Sequence, residues 1–250
     1  MANIVRCEMP DGVHRFKPFT VADYRDLLLV RNDMNNKPVE EQKQLLDELL
    51  EDYFGEYPKA WRPYIFLKVF TSSIGKTKVP VAFECQKCKK TKQTLFNMSQ
   101  GPLTNPTMET AGIKIQFKFP EVEYKDKSEL VLNTIQTVED SEQKYNWEDL
   151  PEETKVQVID AIDIESLEEL LKKMHSIYLP FTYGCCKKHK TEYTDLLDVF
   201  KLILNPDEVF IFYQINHLLV KNQYSLDSIM NMIPIERGIA LSLVEKDLKK

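Results

Sequence analysis

The sequence predicts an α+β fold: a small antiparallel β region clamped by a two-knuckle zinc ribbon, with a mostly helical C-terminal part. Three observations predict it. Two octets far apart, Phe83-Glu84-Cys85-Gln86-Lys87-Cys88-Lys89-Lys90 and Tyr183-Gly184-Cys185-Cys186-Lys187-Lys188-His189-Lys190, hold four of the five cysteines and one of the four histidines. Each follows an apolar or aromatic run and leads into a Lys/Thr-rich run, the layout of a tight turn between two strands with thiolates at its tip. The last sixty residues show helical spacing throughout.

The elements follow in order. Residues 4–19 read as a β-hairpin turning at Pro10-Asp11-Gly12. Thr20-Val21-Ala22-Asp23 is a capping box with Asp in the Glu position. It opens a helix carrying Tyr24, Leu27, Leu28, Val30 and Arg31. A second helix at about 39–53 bears the stripe Leu45, Leu46, Leu49 and Leu50. Tyr64 to Ser72 is apolar and fits a helix or a strand; its length and its end at Ser72-Ser73-Ile74-Gly75 favour the helix. Val79 to Cys85 enters the first knuckle and Lys89 to Asn97 leaves it. Gly101, Pro102, Asn105 and Pro106 make Asn97 to Ala111 a loop. Ile113 to Phe119 alternates with period two and stops at Pro120, as a half-buried strand does. Leu130 to Val138 and Trp147 to Ile162 read as helices. Asp163 caps a helix from Ile164 to Ser176. Ile177 to Tyr183 and Lys190 to Tyr193 flank the second knuckle. Leu196–Leu204, Glu208–Lys221 and Leu226–Lys249 are helical, with Pro234 breaking the last. No repeat or low-complexity tract divides the chain, so residues 1–250 are expected to form one domain. Its subregions are 1–60, a zinc-ribbon region 61–194 with an inserted acidic helical segment, and a helical region 195–250.

Composition excludes several functions. The 250 residues are 43% hydrophobic, enough for a sizeable core, and carry a net charge of −6. A chain of that charge is not a generic binder of nucleic acid or acidic membranes. The seven glycines argue against a Gly-rich all-β fold. Met1 to Arg6 leads into polar sequence with no apolar leader, and no apolar run reaches membrane-span length. A reducing cytosol is expected, where paired cysteines read as metal ligands before disulfides.

Cys85-x2-Cys88 lets two thiolates reach one ion from a single turn. Cys186-x2-His189 has the same spacing, and Cys185 is the competing ligand. Either choice closes a tetrahedral shell around a structural zinc, with no open position for water; the alternative is two buried thiol pairs without metal. Lys76, Lys78, Lys87, Lys89, Lys90, Lys92, Lys187, Lys188 and Lys190 surround the knuckles, which suggests a zinc-ribbon nucleic-acid binder as a third reading. The knuckles hold no Arg for bidentate base contacts, so a solvated rim is favoured. Ser73-Ile74-Gly75-Lys76-Thr77 mimics the end of a phosphate-binding loop, but the required first glycine is Phe70. His14, His175 and His217 stand alone; the latter two lie in apolar helical stretches as core or interface histidines. Cys7 reads as a small core residue. No nucleophile–base pair is evident, so no enzyme is expected. Glu121 to Glu153 holds 11 acidic and three basic residues, a solvated face or a docking surface for a basic partner.

Phe16-Lys17-Pro18-Phe19, followed by the helix Thr20 to Leu29, resembles the N-terminal signature of the T-even-type phage baseplate hub family. Arg62 to Phe70, Ser72-Ser73-Ile74-Gly75 and Cys85-x2-Cys88 extend the resemblance. Leu226-Asp227-Ser228-Ile229-Met230 with Met232, Pro234, Glu236 and Arg237 is similar to a helix–Pro–Glu-Arg pattern of tail and baseplate assembly proteins. The resemblance covers most of the chain and is patchy between residues 97 and 175. It implies a non-enzymatic assembly factor, a chaperone-like catalyst for the central hub of a contractile-tail baseplate. Such a factor works through contacts with hub proteins in the host bacterial cytoplasm. The alternative is a structural hub subunit retained in the virion baseplate; length favours the assembly factor. Val209, Phe210, Phe212, Tyr213, Ile215, Leu218 and Leu219 nearly surround one helix, which is then buried in a core or against a partner, with core favoured. Methionines repack easily. The candidate partner contacts are therefore Phe212, Tyr213, Met230, Met232 and Arg237.

Overall fold

The computed structural model describes residues 4–85 and 87–249. Residues 1–3 of the segment read as lacking a leader, and Gln86 inside the first knuckle, lie outside them. The architecture is mixed α and β. Among the described residues the strands form three two-stranded hairpins and one four-stranded sheet, all antiparallel.

Strands β1 (Val5–Met9) and β2 (Gly12–Phe16) pair around the two-residue turn Pro10-Asp11. Val5, Cys7 and Met9 alternate inward. Cys7 is fully buried, and burial pushes its thiol up to about 11, as fits a core residue. Helix α1 (Val21–Asp33) opens on the expected capping box: the Thr20 amide donates to Asp23 Oδ2 at 2.7 Å, and the Asp23 amide donates to Thr20 Oγ1 at 3.2 Å. Helix α2 (Val39–Phe54) buries Leu46, Leu49, Leu50 and Phe54.

Helix α3 (Arg62–Ile74) is the axis of the main core. Tyr64, Ile65, Phe66, Leu67, Val69 and Phe70 are all at most 2% exposed, on every side of the helix. Phe66 alone packs on Phe19, Phe70 and Phe200, with ring centroids 5.6–5.8 Å apart. The helix stops at Gly75, left-handed at φ 68°, where a Cβ would stand 2.1 Å from Ile235 Cδ1. A phosphate-binding loop precedes its helix; Gly75-Lys76-Thr77 follows one, so the local fold also rules that motif out.

Strands β3 (Lys78–Glu84) and β4 (Thr91–Asn97) form the second hairpin, whose Val79, Val81 and Phe96 join the same core. The next region departs from expectation. Asn97 to Ala111 is not all loop: β5 (Thr107–Thr110) pairs with β6 (Ile113–Phe117) around Ala111-Gly112, both at positive φ, as a tight hairpin turn requires. The expected helix 130–138 divides into α4 (Lys127–Thr134) and β7 (Ile135–Glu139). The β-branched run Ile-Gln-Thr-Val extends there to pair with β6, burying Ile135 and Val138. β8 (Lys144–Asn146) completes the order β5-β6-β7-β8. The expected helix 147–162 shrinks to a 3-10 turn and α5 (Glu152–Asp160), because Pro151 interrupts it. Asp163 caps α6 (Ile164–Lys173), accepting from the Ser166 amide at 2.8 Å. Met108, Ile115, Phe117, Val131, Ile135, Val138, Val158, Leu170 and Met174 form a second, smaller core.

β9 (Leu179–Gly184) and β10 (Lys188–Tyr193) return the chain to the main core. Helices α7 (Leu196–Ile203), α8 (Glu208–Lys221), α9 (Leu226–Asn231) and α10 (Pro234–Leu248) follow as expected, broken at Pro234. The Val21 amide donates to the Met232 carbonyl at 2.7 Å, tying the α9–α10 joint to the start of α1. Among the described residues no helix is long and apolar enough to cross a membrane.

Candidate metal centre and partner surface

The two knuckles meet. Residues 85–90 connect β3 to β4, and the three-residue turn Cys185-Cys186-Lys187 connects β9 to β10. In the first turn the Cys85 amide donates to the Lys90 carbonyl at 3.0 Å, and the Lys89 amide donates to the Cys85 carbonyl at 2.7 Å. Lys89 adopts φ 56° to close it. In the second, a Cβ at Gly184 would lie 2.8 Å from the Lys187 carbonyl oxygen, so only glycine allows so tight a return.

The sulfurs of Cys85, Cys88, Cys185 and Cys186 all lie within 4.8 Å of one another. Cys88 Sγ is 3.6 Å from Cys185 Sγ, which is 4.0 Å from Cys186 Sγ, and none forms a disulfide. A tetrahedron with metal–sulfur bonds of about 2.3 Å has edges of about 3.8 Å, close to the Cys88–Cys185 and Cys185–Cys186 separations, so the cluster could hold a metal ion. Cys85 is buried, whereas Cys185 and Cys186 are exposed and leave a path for an ion. The amides of Cys186, Cys88 and Lys87 face Cys85 and draw its thiol down to about 6. Cys186 moves the other way, up to about 12, chiefly because the Cys88 and Cys185 sulfurs share its proton. Without a cation Cys85 ionises most readily while Cys185 and Cys186 are held toward the thiol; a divalent ion would favour the thiolates.

His189 lies in β10 rather than in the turn. It stands opposite Tyr183 in the strand pair, and its ring stacks on that tyrosine at 5.4 Å and 20°. Among the described residues it is outside the group of close ligand atoms, and both Cys185 and Cys186 are inside. Matching spacing did not reveal this, because the second turn is shorter than the first and carries position 189 into the ladder. Behind the sulfurs, Phe83 meets Tyr183 at 4.6 Å and Phe96 meets Phe181 at 5.2 Å, so aromatic packing joins the hairpins as well. The nine lysines around the knuckles are all exposed, which agrees with a solvated rim. His175 and His217 are also exposed, at the surface rather than in the core; His14 bonds to Asp11 at 2.9 Å.

The C-terminal candidates separate. Phe212 and Arg237 are interior: the guanidinium sits 4.5 Å over the Phe212 ring, and its Nη1 donates to Asn216 Oδ1 at 3.1 Å. Met230 and Met232 are half-buried, and Tyr213 is 52% exposed. Helix α8 is therefore two-faced, with Phe212, Asn216 and Leu219 inward and Phe210, Ile211, Tyr213 and Val220 outward. On α9 and α10, Leu226, Ile239 and Leu243 are exposed as well. Individual exposed apolar residues are ordinary, but here they recur on three consecutive helices, α8, α9 and α10. The sequence held one signal for it, an apolar count on α8 larger than one buried face can use.

Comparison with known families completes the description. Residues 1–201 match the family described as T4 bacteriophage base plate protein. Residues 203–249 match the C-terminal domain of the baseplate hub assembly protein Gp51. No curated protein and no solved structure matches the chain.

Proposed function

The chain belongs to the T4 bacteriophage base plate protein family, a baseplate hub assembly protein of a T4-like phage, and from that premise we propose that it acts as a non-enzymatic, chaperone-like factor. It holds hub components together while the central hub forms in the host cytoplasm. The observation that carries this reading is the apolar surface of α8–α10. It lies within the segment matched to the hub assembly domain and displays Phe210, Tyr213, Leu226, Ile239 and Leu243 to solvent. An assembly factor needs adhesive surface on a rigid body, and covering such residues is what drives association. Co-expression with the hub proteins should give a complex or raise the yield of hub, and neither effect would sink the proposal. Mass spectrometry of purified particles then separates factor from subunit. A factor is absent or substoichiometric; a retained structural subunit is present at a fixed ratio.

The body that carries this surface is read as one domain with a zinc-ribbon clamp. The four-cysteine cluster fits a structural zinc by its sulfur separations and by its donor set. Cys85, Cys88, Cys185 and Cys186 would hold the ion and fasten residue 85 to residue 186. Zinc in such a shell supplies cross-linking, and its binding free energy becomes folding free energy.

A further inference from the structure

A groove of 730 Å³ runs beside α10, away from the thiol cluster. Ile235, Ile239 and Leu243 line one side; Phe70, Val79 and Ile203 line the other. The first three recur at i, i+4 and i+8 and so stand in one row along the helix. They are 38%, 57% and 55% exposed, a heavy apolar display along one helix face.

Charge selects the occupant. Lys76, Arg237 and Lys246 line the groove against one carboxylate, Glu208, which already accepts the Tyr24 hydroxyl at 3.0 Å. This positive lining lies on a chain of net charge −6. Among the described residues no carboxylate lies within ion-pair distance of Lys76, Lys246 or Arg237. Arg237 is only 8% exposed, held by the Asn216 amide and the Phe212 ring. Glu208 acts on this guanidinium only from beyond ion-pair distance, so the cationic excess of the groove rests on Lys76 and Lys246. The two lysines sit at opposite ends. Lys76 follows Gly75, which abuts Ile235, and Lys246 lies one turn past Leu243. Between positions 235 and 246 the helix rises roughly 16 Å, about three turns.

We propose that this groove receives an acidic amphipathic helix of a hub protein. The helix sets its apolar row on Ile235, Ile239 and Leu243 and places a carboxylate near Lys76 and another near Lys246. That is helix-in-groove recognition, with charge fixing register and rejecting basic segments. The proposal rests on the hub assembly reading and adds to it the site and the chemistry of the partner. Gly238 gives a way to close the groove: it lines it, and a Cβ there meets no atom within 4 Å. Gly238→Leu therefore fills the groove and leaves the interior alone.

The test places a photoreactive benzophenone side chain at Ile239, and separately at Tyr213, in the full chain during phage infection. Cross-linked peptides are then sequenced. The expected result is that Ile239 captures a hub-protein segment with apolar residues at helical spacing and an excess of acidic residues. Gly238→Leu, with its melting temperature unchanged, should cut that cross-link about tenfold or more, as losing a central anchor does. Lys76→Glu with Lys246→Glu should weaken it too, and neither change should affect capture from Tyr213. The groove proposal is overturned if Ile239 captures a second copy of this chain, or a neutral or basic segment. It also falls if Ile239 captures nothing while Tyr213 captures a hub protein, in which case the hub reading survives. Capture of no hub protein from either position overturns both.

Discussion

Helices α3 and α8 look alike in sequence and differ in use. Each is apolar nearly all the way round, and in each the pattern alone admits a core or an interface. In the fold α3 is covered on every side, by β1, α2, α10 and Phe200 of α7. Helix α8 packs on α1, α9 and α10, which hide Phe212, Asn216 and Leu219 but leave Phe210 70% exposed. The difference lies in the neighbours. A helix threaded through the middle of the chain is wrapped by what comes before and after it, whereas one near the edge of the fold is wrapped on one side. An apolar excess on the edge helix then becomes available for binding.

The comparison can be broken most forcefully at Phe66. Phe66→Ala should destabilise the protein by about 3–5 kcal/mol, the cost of a cavity in a packed aromatic core. Equilibrium urea unfolding measures it, and a loss below about 1 kcal/mol would mean that α3 is not the axis of the core. The next effect concerns the cover itself, since the two hairpins supply Val79, Val81, Phe96 and Phe181 to the core. Elemental analysis should find about one zinc per chain. Cys85→Ser should lose it and lower the melting temperature, whereas His189→Ala should retain it. Zinc lost in His189→Ala would restore histidine to the ligand shell.

A smaller effect belongs to the second core, where one exposed carboxylate organises a helix start. Asp163 accepts from the Ser166 amide and hydroxyl and from Thr110, and these donors hold its carboxyl below the usual range, the Ser166 amide most strongly. A depressed folded pKa means that the carboxylate contributes stability at neutral pH. That contribution is complete above the unfolded value and is lost as pH falls through the folded one. Asp163→Asn keeps a capping acceptor but has no proton to take up. Its melting temperature should fall less steeply between neutral and acid pH than that of the parent; parallel curves would remove Asp163 from the acid response. The smallest stability change is expected on the outer face of α8. Phe210→Ser with Tyr213→Ser should shift unfolding by less than about 0.5 kcal/mol per site, as surface changes do. The same variant should lose most of its ability to raise hub yield on co-expression. A variant as stable as the parent and equally active would return α8 to the role of a mere scaffold.

Much of the fold was legible wherever local chemistry was decisive. The Pro10-Asp11-Gly12 turn, the Thr20–Asp23 box, the Gly75 stop and the Pro234 break each act within a few residues, so their consequences could be read in place. The acidic middle was read less well. β5 holds only four residues, and β7 begins where a helix ends, so each takes its form from pairing with β6. The same holds at the cysteines. Pairing of the two octets was legible from composition, while the placing of Cys185 and Cys186 in the sulfur cluster, with His189 in the ladder, depended on how many residues the second turn contains.

Outside the acidic middle, the sequence by itself determined the order of helices and hairpins, their caps and stops, and the gathering of thiols into two turns, because propensity, capping and turn geometry act over one to four residues. Its family resemblance likewise pointed to the baseplate hub. Only the tertiary structure decided which apolar faces are covered, that the two cysteine turns meet, and that Lys76 joins α10 at one groove. Burial and charge juxtaposition depend on residues more than a hundred positions apart, and no local pattern encodes which of them arrive.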